Sequence, residues 1–238
     1  MKLAIMQPYF FPYIGYFQLI NAVDKFIIFD IVQYINKGWM NRNRILSQNL
    51  EKEWEYISVP IQNTDKRKII SSVKINNTHD WRKKILGKMS YYKKIRAPYY
   101  DKTVKILKEI IYREYNTLVD FNVISLGIIC EYLGIAFKYE IASQKDYDYS
   151  LVNAKDEWAL QIAIQEKAQV YFNPIGGIEF FNRAKYLSNN IKIFFLKTGD
   201  VYYKQSRRDF VSDLSIIDIM MFNDPEKINE LLSTYILK

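Results

Sequence analysis

Lys2-Leu3-Ala4-Ile5-Met6, followed by Gln7-Pro8-Tyr9-Phe10-Phe11-Pro12-Tyr13-Ile14-Gly15-Tyr16 and then by Lys25-Phe26-Ile27-Ile28-Phe29-Asp30, is the stretch that decides the fold. The first run is short and β-like, and it ends at a loop carrying two prolines and a glycine. Tyr16 to Val23 then takes helical spacing. Lys25 to Asp30 is a continuous apolar run of strand length with a carboxylate at its end, the pattern of a parallel strand buried on both faces. Strand, loop, helix, strand predicts a βαβ unit at the start of the chain.

Working outward, Trp54 to Ile61 and Ile69 to Ile75 alternate apolar and polar residues and predict two strands, with turn chemistry at Asn63-Thr64-Asp65 between them. From Thr78 to Leu133 the period becomes helical. Thr78 is the expected cap of a helix opening at His79-Asp80-Trp81, and Pro98 should break it. Further helices are expected at Asp101 to Tyr115 and Thr117 to Leu133, with Gly134 as a C-terminal stop. The α/β pattern then resumes, with strands at Ala136 to Ile141, Val170 to Asn173 and Ile191 to Leu196, and helices at Glu157 to Lys167 and Ile178 to Tyr186. The expected fold is a Rossmann-like α/β core, a three-layer parallel sheet with a helical insertion or added helical layer. Residues 1–77 would form its first half, 78–134 the helical segment, and 135–238 the second half with a C-terminal helix.

Composition bounds the function classes. The 238 residues are 49% hydrophobic and 25% charged, ordinary for a globular domain and unlike a disordered chain. The net charge of +8 permits nucleic acid, an anionic membrane or phosphorylated substrates as partners. Its basic runs, Lys66-Arg67-Lys68, Arg82-Lys83-Lys84, Lys93-Lys94 and Arg207-Arg208, are scattered and read as solvated faces, so no DNA partner is expected. A single cysteine, Cys130 in an apolar run, reads as a small buried hydrophobe in a reducing compartment. No signal peptide or membrane span is visible, so the expected location is cytoplasmic. With one histidine, His79, far from Cys130, neither a thiolate triad nor a His-rich metal site can be assembled, and no metal ligand is assigned.

Three constellations could carry chemistry. The loop after the first strand is a favoured ligand position in open parallel sheets. Its Pro12-Tyr13-Ile14-Gly15-Tyr16 resembles the H-x-G-H signature of nucleotidylyltransferases and class I aminoacyl-tRNA synthetases, with both histidines replaced by tyrosine. Tyrosine offers hydrogen bonds without the charge those enzymes place on a triphosphate. The second constellation runs from Asp30 to Ile45, dense in amides and cations: Gln33, Lys37, Trp39, Asn41, Arg42 and Asn43. That density suits a sugar or phosphate-bearing ligand, although the same asparagines could simply pin a loop. The third is Tyr171-Phe172-Asn173-Pro174-Ile175-Gly176-Gly177, whose paired glycines would let an anion approach backbone N–H groups ahead of a helix at Ile178; a plain strand-to-helix turn reads equally well. Asp218, in the apolar run Leu214 to Met221, is either a buried acid paired with an arginine or an exposed acid on an amphipathic helix.

Four stretches carry a more specific resemblance. They are Met6 to Phe17, Val32-Gln33-Tyr34 with Lys37 to Asn43, Tyr92 to Tyr99, and Leu214 to Asp218 with Phe222-Asn223. In this order they resemble the WbqC-like proteins over essentially the whole chain. The resemblance implies a bacterial polysaccharide or O-antigen setting and transfer of a glycyl or other acyl or aminoacyl group to an amino sugar. A nucleotide-linked amino sugar would be the partner and an activated acyl or aminoacyl donor the co-substrate. An amine nucleophile must meet an activated carbonyl, so the site needs a proton acceptor, an oxyanion donor and an anion clamp. Asp30 or Tyr13 is assigned to the first role, as proton acceptor or orienting group, Asn41 and Asn43 to the second, Arg42 and Lys37 to the third. Gln7, Tyr9, Gly15, Tyr16, Gln33, Trp39, Gly176 and Gly177 complete the candidate binding set. The rival readings are an ATP-using nucleotidylyltransferase or ligase, and a non-catalytic subunit that binds sugar nucleotides.

Overall fold

The computed structural model describes residues 1–62, 68–207 and 209–238. The Asn63-Thr64-Asp65 turn, the basic residues Lys66 and Arg67, and Arg208 lie outside them.

The opening stretch folds as strand β1 (Lys2–Met6), helix α1 (Ile14–Asn21) and strand β2 (Lys25–Ile28). β1 and β2 pair in parallel, Leu3 opposite Lys25 through Met6 opposite Ile28. The alternation of side chains along each strand divides them between two cores. Leu3, Ile5 and Ile27 enter one cluster, while Ala4, Phe26 and Ile28 enter the other. A strand apolar at every position is what a sheet covered on both faces requires, and Leu3, Ala4, Ile27 and Ile28 are wholly buried.

Between β2 and the second half come strands β3 (Arg42–Leu46) and β4 (Trp54–Ser58), an antiparallel pair outside the main sheet. Helices α2 (Trp81–Lys94), α3 (Tyr100–Ile111) and α4 (Leu118–Leu133) follow. The second half supplies strand β5 (Tyr139–Ile141), helix α5 (Glu157–Gln165), strand β6 (Val170–Pro174), helix α6 (Arg183–Ser188) and strand β7 (Lys192–Thr198). The chain ends in α7 (Ile216–Phe222), α8 (Pro225–Leu232) and strand β8 (Tyr235–Leu237).

The six-stranded sheet runs β5-β2-β1-β6-β7-β8, parallel except for β8, which pairs antiparallel with β7. Helices α5 and α6 cover one face through Leu160, Ile162 and Tyr186, and the remaining helices build the larger core on the other. The result is the expected mixed α/β, Rossmann-like arrangement. Strand order reverses between β1 and β6, which opens a crevice at their carboxyl ends.

Several boundaries differ from expectation. Ile69 to Ile75 is a loop with a 3-10 turn at Ile70–Ser72, which joins its neighbours by isolated bridges, Gln33 to Ile69 and Ile61 to Ile75, and by single backbone bonds rather than by a ladder. Its apolar residues Ile70 and Val73 plug the core three positions apart, a spacing that served packing rather than a ladder. The polar stretch from Asp30 to Ile45, for which no strand is expected, contains the start of β3. The first long helix is capped by Asp80, which accepts from the Lys83 N–H, and not by Thr78. In place of a helix from Ile178 to Tyr186, a 3-10 turn spans Ile175–Gly177 and α6 begins only after Asn182, whose side chain accepts from the Ala184 N–H. Ala136 to Lys138 do not join β5. A second helix and the antiparallel β8 extend the expected C-terminal helix. As expected, Gly134 ends α4 with φ +69°.

Candidate functional site

The residues after β1 form a loop pinned almost entirely through its backbone. Asn122 on α4 donates to the carbonyls of Pro8 and Met40 at 2.9 and 2.8 Å. Asn43 on β3 donates to the carbonyls of Phe10 and Phe11 at 3.1 and 2.8 Å. The Ser215 hydroxyl donates to Phe11 O at 2.7 Å, and the Ile216 N–H to Pro12 O at 2.9 Å. Phe11 sits at φ +39°, a conformation that costs a non-glycine residue about 1–3 kcal/mol and persists only where surroundings impose it. The Phe10 and Phe11 rings pack on Phe121 inside the core. Their neighbours Tyr9 and Tyr13 are left facing the crevice, as the lining residues below show.

That crevice has two lobes. A larger one of about 760 Å³ is lined by Gln7, Tyr9, Gln33 and Asn36, by Lys155 and Trp158 at the start of α5, and by Asn173, Phe180 and Phe181 after β6. A smaller one of about 370 Å³ is lined by Tyr9, Tyr13, Gly15, Tyr16, Trp39, Asn43 and Gly176, together with Arg44 and Asp213. Met6 and Tyr9 belong to both. The structure thus brings nine of the candidate residues to one place: Gln7, Tyr9, Tyr13, Gly15, Tyr16, Gln33, Trp39, Asn43 and Gly176.

Gly15 is required by close approach. A Cβ there would run into the Thr198 hydroxyl and the Tyr13 ring, nearer than any ordinary Cβ contact. The Tyr13 hydroxyl is hydrogen-bonded to Thr198, and burial raises its pKa. Burial likewise raises Tyr9. Tyr16 is buried at the floor, donates to Gln7 O at 2.9 Å, and is pushed well above the ordinary phenol value by burial.

The other candidates do not line either lobe. Asp30 is 1% exposed, and its two carboxylate oxygens accept from the Ser143 N–H at 2.9 Å and hydroxyl at 2.5 Å. Burial raises its pKa against those two bonds. Asn41 accepts from the Tyr34 hydroxyl and donates to Val59 O, a bracing role between loops. The Arg42 guanidinium lies 4.2 Å over the Tyr56 ring and donates to the backbone carbonyl of Lys37, itself at φ +61°. At Gly177 a Cβ would collide with the Asn173 amide, so this glycine answers to packing. Asp218 proves fully buried, bound by Tyr92, Tyr203 and Gln205 rather than by an arginine. Cys130 is buried, with its thiol pushed up to about 12, and His79 is exposed.

Sequence reading missed Arg44, Lys155, Trp158 and Phe180. Arg44 shares a face of β3 with Arg42, since the two are two residues apart along a strand. It lies 5.3 and 5.2 Å over the Trp39 and Trp54 rings and donates to the backbone carbonyl of Asp213. Recognising β3 would have set the two arginines against different partners across the ladder, Arg42 opposite Ser58 and Arg44 opposite Tyr56. Phe180, 50% exposed, was hidden by the expected helix.

Three of the four stretches that carry the resemblance meet at the opening loop, and the fourth joins them through the bond from Tyr92 to Asp218. The WbqC-like protein family matches residues 7–230. This chain belongs to the WbqC-like family. It is similar to an uncharacterized protein of Mycobacterium tuberculosis, Rv1507c, with 29% identity over 221 residues and 92% of each chain covered. No solved structure matches the chain. Among the described residues, no helix of this WbqC-like protein is long and apolar enough to cross a membrane.

Proposed function

We propose that this WbqC-like protein is a transferase that joins an acyl or aminoacyl group to the amine of a nucleotide-linked amino sugar in surface polysaccharide assembly. The observation that carries the reading is the two-lobed cleft at the reversal of strand order, hinged on Tyr9. The larger lobe suits the nucleotide: Trp158 and Phe180 offer rings for a base, Gln7 and Asn36 offer amides, and Lys155 offers a charge for phosphate. The smaller lobe suits the sugar, which would lie against Tyr13 and Trp39 with Arg44 beside it.

The chemistry such a lining can do is positioning and hydrogen bonding. Tyr9 and Tyr13 have raised pKa values, so at neutral pH both keep their protons and act as donors to a carbonyl oxygen. The neutral sugar amine attacks the donor's carbonyl carbon, forming a C–N bond. The C–O or C–S bond to the carrier then breaks, and the departing oxygen or sulfur takes the proton shed by nitrogen. Tyr13 is thus recast from acceptor to donor. Asp30, Asn41 and Asn43 act by positioning, through the loops they brace, and Arg44 with Lys155 replaces the Arg42 and Lys37 clamp. A preorganised loop fits this demand, because effective alignment of two bound reactants is the largest gain open to a site without a strong base.

Calorimetry separates the two lobes. A nucleoside diphosphate amino sugar should bind at least tenfold more tightly than either the free nucleotide or the free amino sugar. Equal affinity for the nucleotide with and without its sugar would remove the acceptor assignment.

A further inference from the structure

A third chamber, of about 380 Å³, adjoins the smaller lobe and shares Tyr13 and Asp213 with it. It is enclosed by the start of α1, by residues 198–203, 210 and 212–214 around and after the end of β7, and by Ile219 of α7. Its chemistry differs from the rest of the molecule. The chain carries a net charge of +8, yet among the described residues no lysine or arginine lines this chamber, whereas Asp200 and Asp213 do. Four aromatic rings line it as well, Tyr13, Tyr202, Tyr203 and Phe210. Phe210 has its centroid 4.8 Å from Tyr202 and 5.3 Å from Tyr203, the latter pair edge to face.

Neither carboxylate is spent on an ion pair among the described residues. Arg44 reaches only the backbone carbonyl of Asp213, and the Asp213 carboxylate takes just the neighbouring Ser212 hydroxyl. Its charge is felt across the chamber, since it contributes to raising both Tyr13 and Tyr203. Aromatic rings beside a space rimmed by carboxylates are the usual surroundings of an organic cation, which gains from the ring quadrupole and from the charge together. The Tyr203 hydroxyl is held by Asp218 at 2.6 Å, so that ring is fixed in place before any ligand arrives.

We propose that this chamber is a binding site for a protonated primary amine, held between the Tyr202, Tyr203 and Phe210 rings and the carboxylates of Asp200 and Asp213. The amine N–H groups donate to the carboxylates, and its charge faces the rings. The bearer of that amine rests on the transferase reading. Because the chamber meets the sugar lobe at Tyr13, the ammonium of an aminoacyl donor placed there brings the donor's carbonyl toward the acceptor. The proposal therefore selects an aminoacyl over a plain acyl donor.

The test is ligand-observed NMR on the full chain at about pH 6, where an α-amino ester is protonated. The probes are alanine methyl ester, methyl lactate, which replaces the ammonium by a hydroxyl, and 2-amino-2-deoxyglucose. Alanine methyl ester should bind and methyl lactate should not. The double variant Asp200→Asn, Asp213→Asn should weaken the ester at least tenfold, and Tyr202→Leu severalfold. All three residues are exposed at the rim, and asparagine tolerates the φ of +55° at position 213, so both variants should keep the wild-type unfolding transition. Displacement of the ester by the amino sugar would keep the ammonium site and assign it to the acceptor. Equal binding of methyl lactate, or an unchanged ester affinity in the double variant, would overturn the proposal. Binding is read here without turnover, so absence of transfer would count against the transferase reading alone.

Discussion

The hydroxyl of Tyr92 on α2 donates to one carboxylate oxygen of Asp218 on α7 across 2.5 Å, joining two stretches 126 residues apart inside the core. The other oxygen takes the Tyr203 hydroxyl at 2.6 Å and the Gln205 amide at 3.0 Å. Tyr92 also accepts from the Leu46 N–H of β3, so one buried carboxylate ties α2, β3, α7 and the segment behind the amine chamber into a single unit. Three donors are what make a fully buried acid tolerable there.

Burial nevertheless outweighs those donors and raises Asp218 to about 6. A carboxyl whose folded-state value lies above its unfolded value gives stability that is complete below the unfolded value and lost as pH rises through the folded one. Asp218→Asn cannot titrate. The unfolding free energy of wild type relative to the variant should therefore fall by about 3 kcal/mol between about pH 4 and pH 7. Urea melts across that range check it, and parallel curves for the two proteins would refute the raised carboxyl.

Asn43→Ala removes both donors to the Phe10 and Phe11 carbonyls, which lie in the dry interior. The Phe11 carbonyl keeps the Ser215 hydroxyl, but leaving the Phe10 carbonyl unpaired should cost about 1–3 kcal/mol. Chemical denaturation gives the magnitude, and a loss below about 0.5 kcal/mol would mean that the loop holds its shape without this bracket.

Gly15→Ala places a methyl against Thr198 and the Tyr13 ring. The side chain of Tyr13 must then shift, at a cost of about 1–3 kcal/mol. Affinity for the amino-sugar nucleotide should drop with it, whereas Gly176→Ala, with open space at its Cβ, should leave the unfolding free energy unchanged within about 0.5 kcal/mol.

Arg44→Ala should weaken binding of the amino-sugar nucleotide about tenfold, as the loss of a cation at the lobe wall predicts. Arg42→Ala should act on stability instead, since its guanidinium is spent on Tyr56 and the Lys37 carbonyl. Calorimetry beside denaturation distinguishes them, and the opposite pattern would return the clamp to Arg42.

The α/β core was legible because its strands are apolar on both faces and its loops carry prolines and glycines at the strand ends. Leu3, Ala4, Phe26 and Ile27 announce a doubly covered sheet without reference to any partner. The opening loop was legible as a site for the same topological reason. What the sequence concealed was long-range. Asn43 reads as a polar ligand contact, yet its amide turns inward to carbonyls more than thirty residues away. Asp30 looks like a strand-end catalyst but is taken by Ser143, 113 residues later. Arg44 and Arg42 are indistinguishable by type, and only the ladder that sets Arg42 opposite Ser58 and Arg44 opposite Tyr56 separates their surroundings. The acid-rimmed chamber draws its lining from residues 13–14 and from residues 198–203, 210, 212–214 and 219, and no local window contains both.

The transfer reaction itself is tested most directly by mass spectrometry of the acceptor. The purified chain is incubated with a nucleoside diphosphate amino sugar and, in separate mixtures, a thioester donor, an aminoacyl-tRNA, or ATP with free amino acid. A preactivated donor should yield an acceptor heavier by one acyl or aminoacyl group less one proton, with the carrier released and no pyrophosphate. Pyrophosphate formed only when ATP and amino acid are both present would contradict this account in favour of an adenylating ligase. Tight binding of the sugar nucleotide with no mass change under any donor would contradict it in favour of a binding subunit.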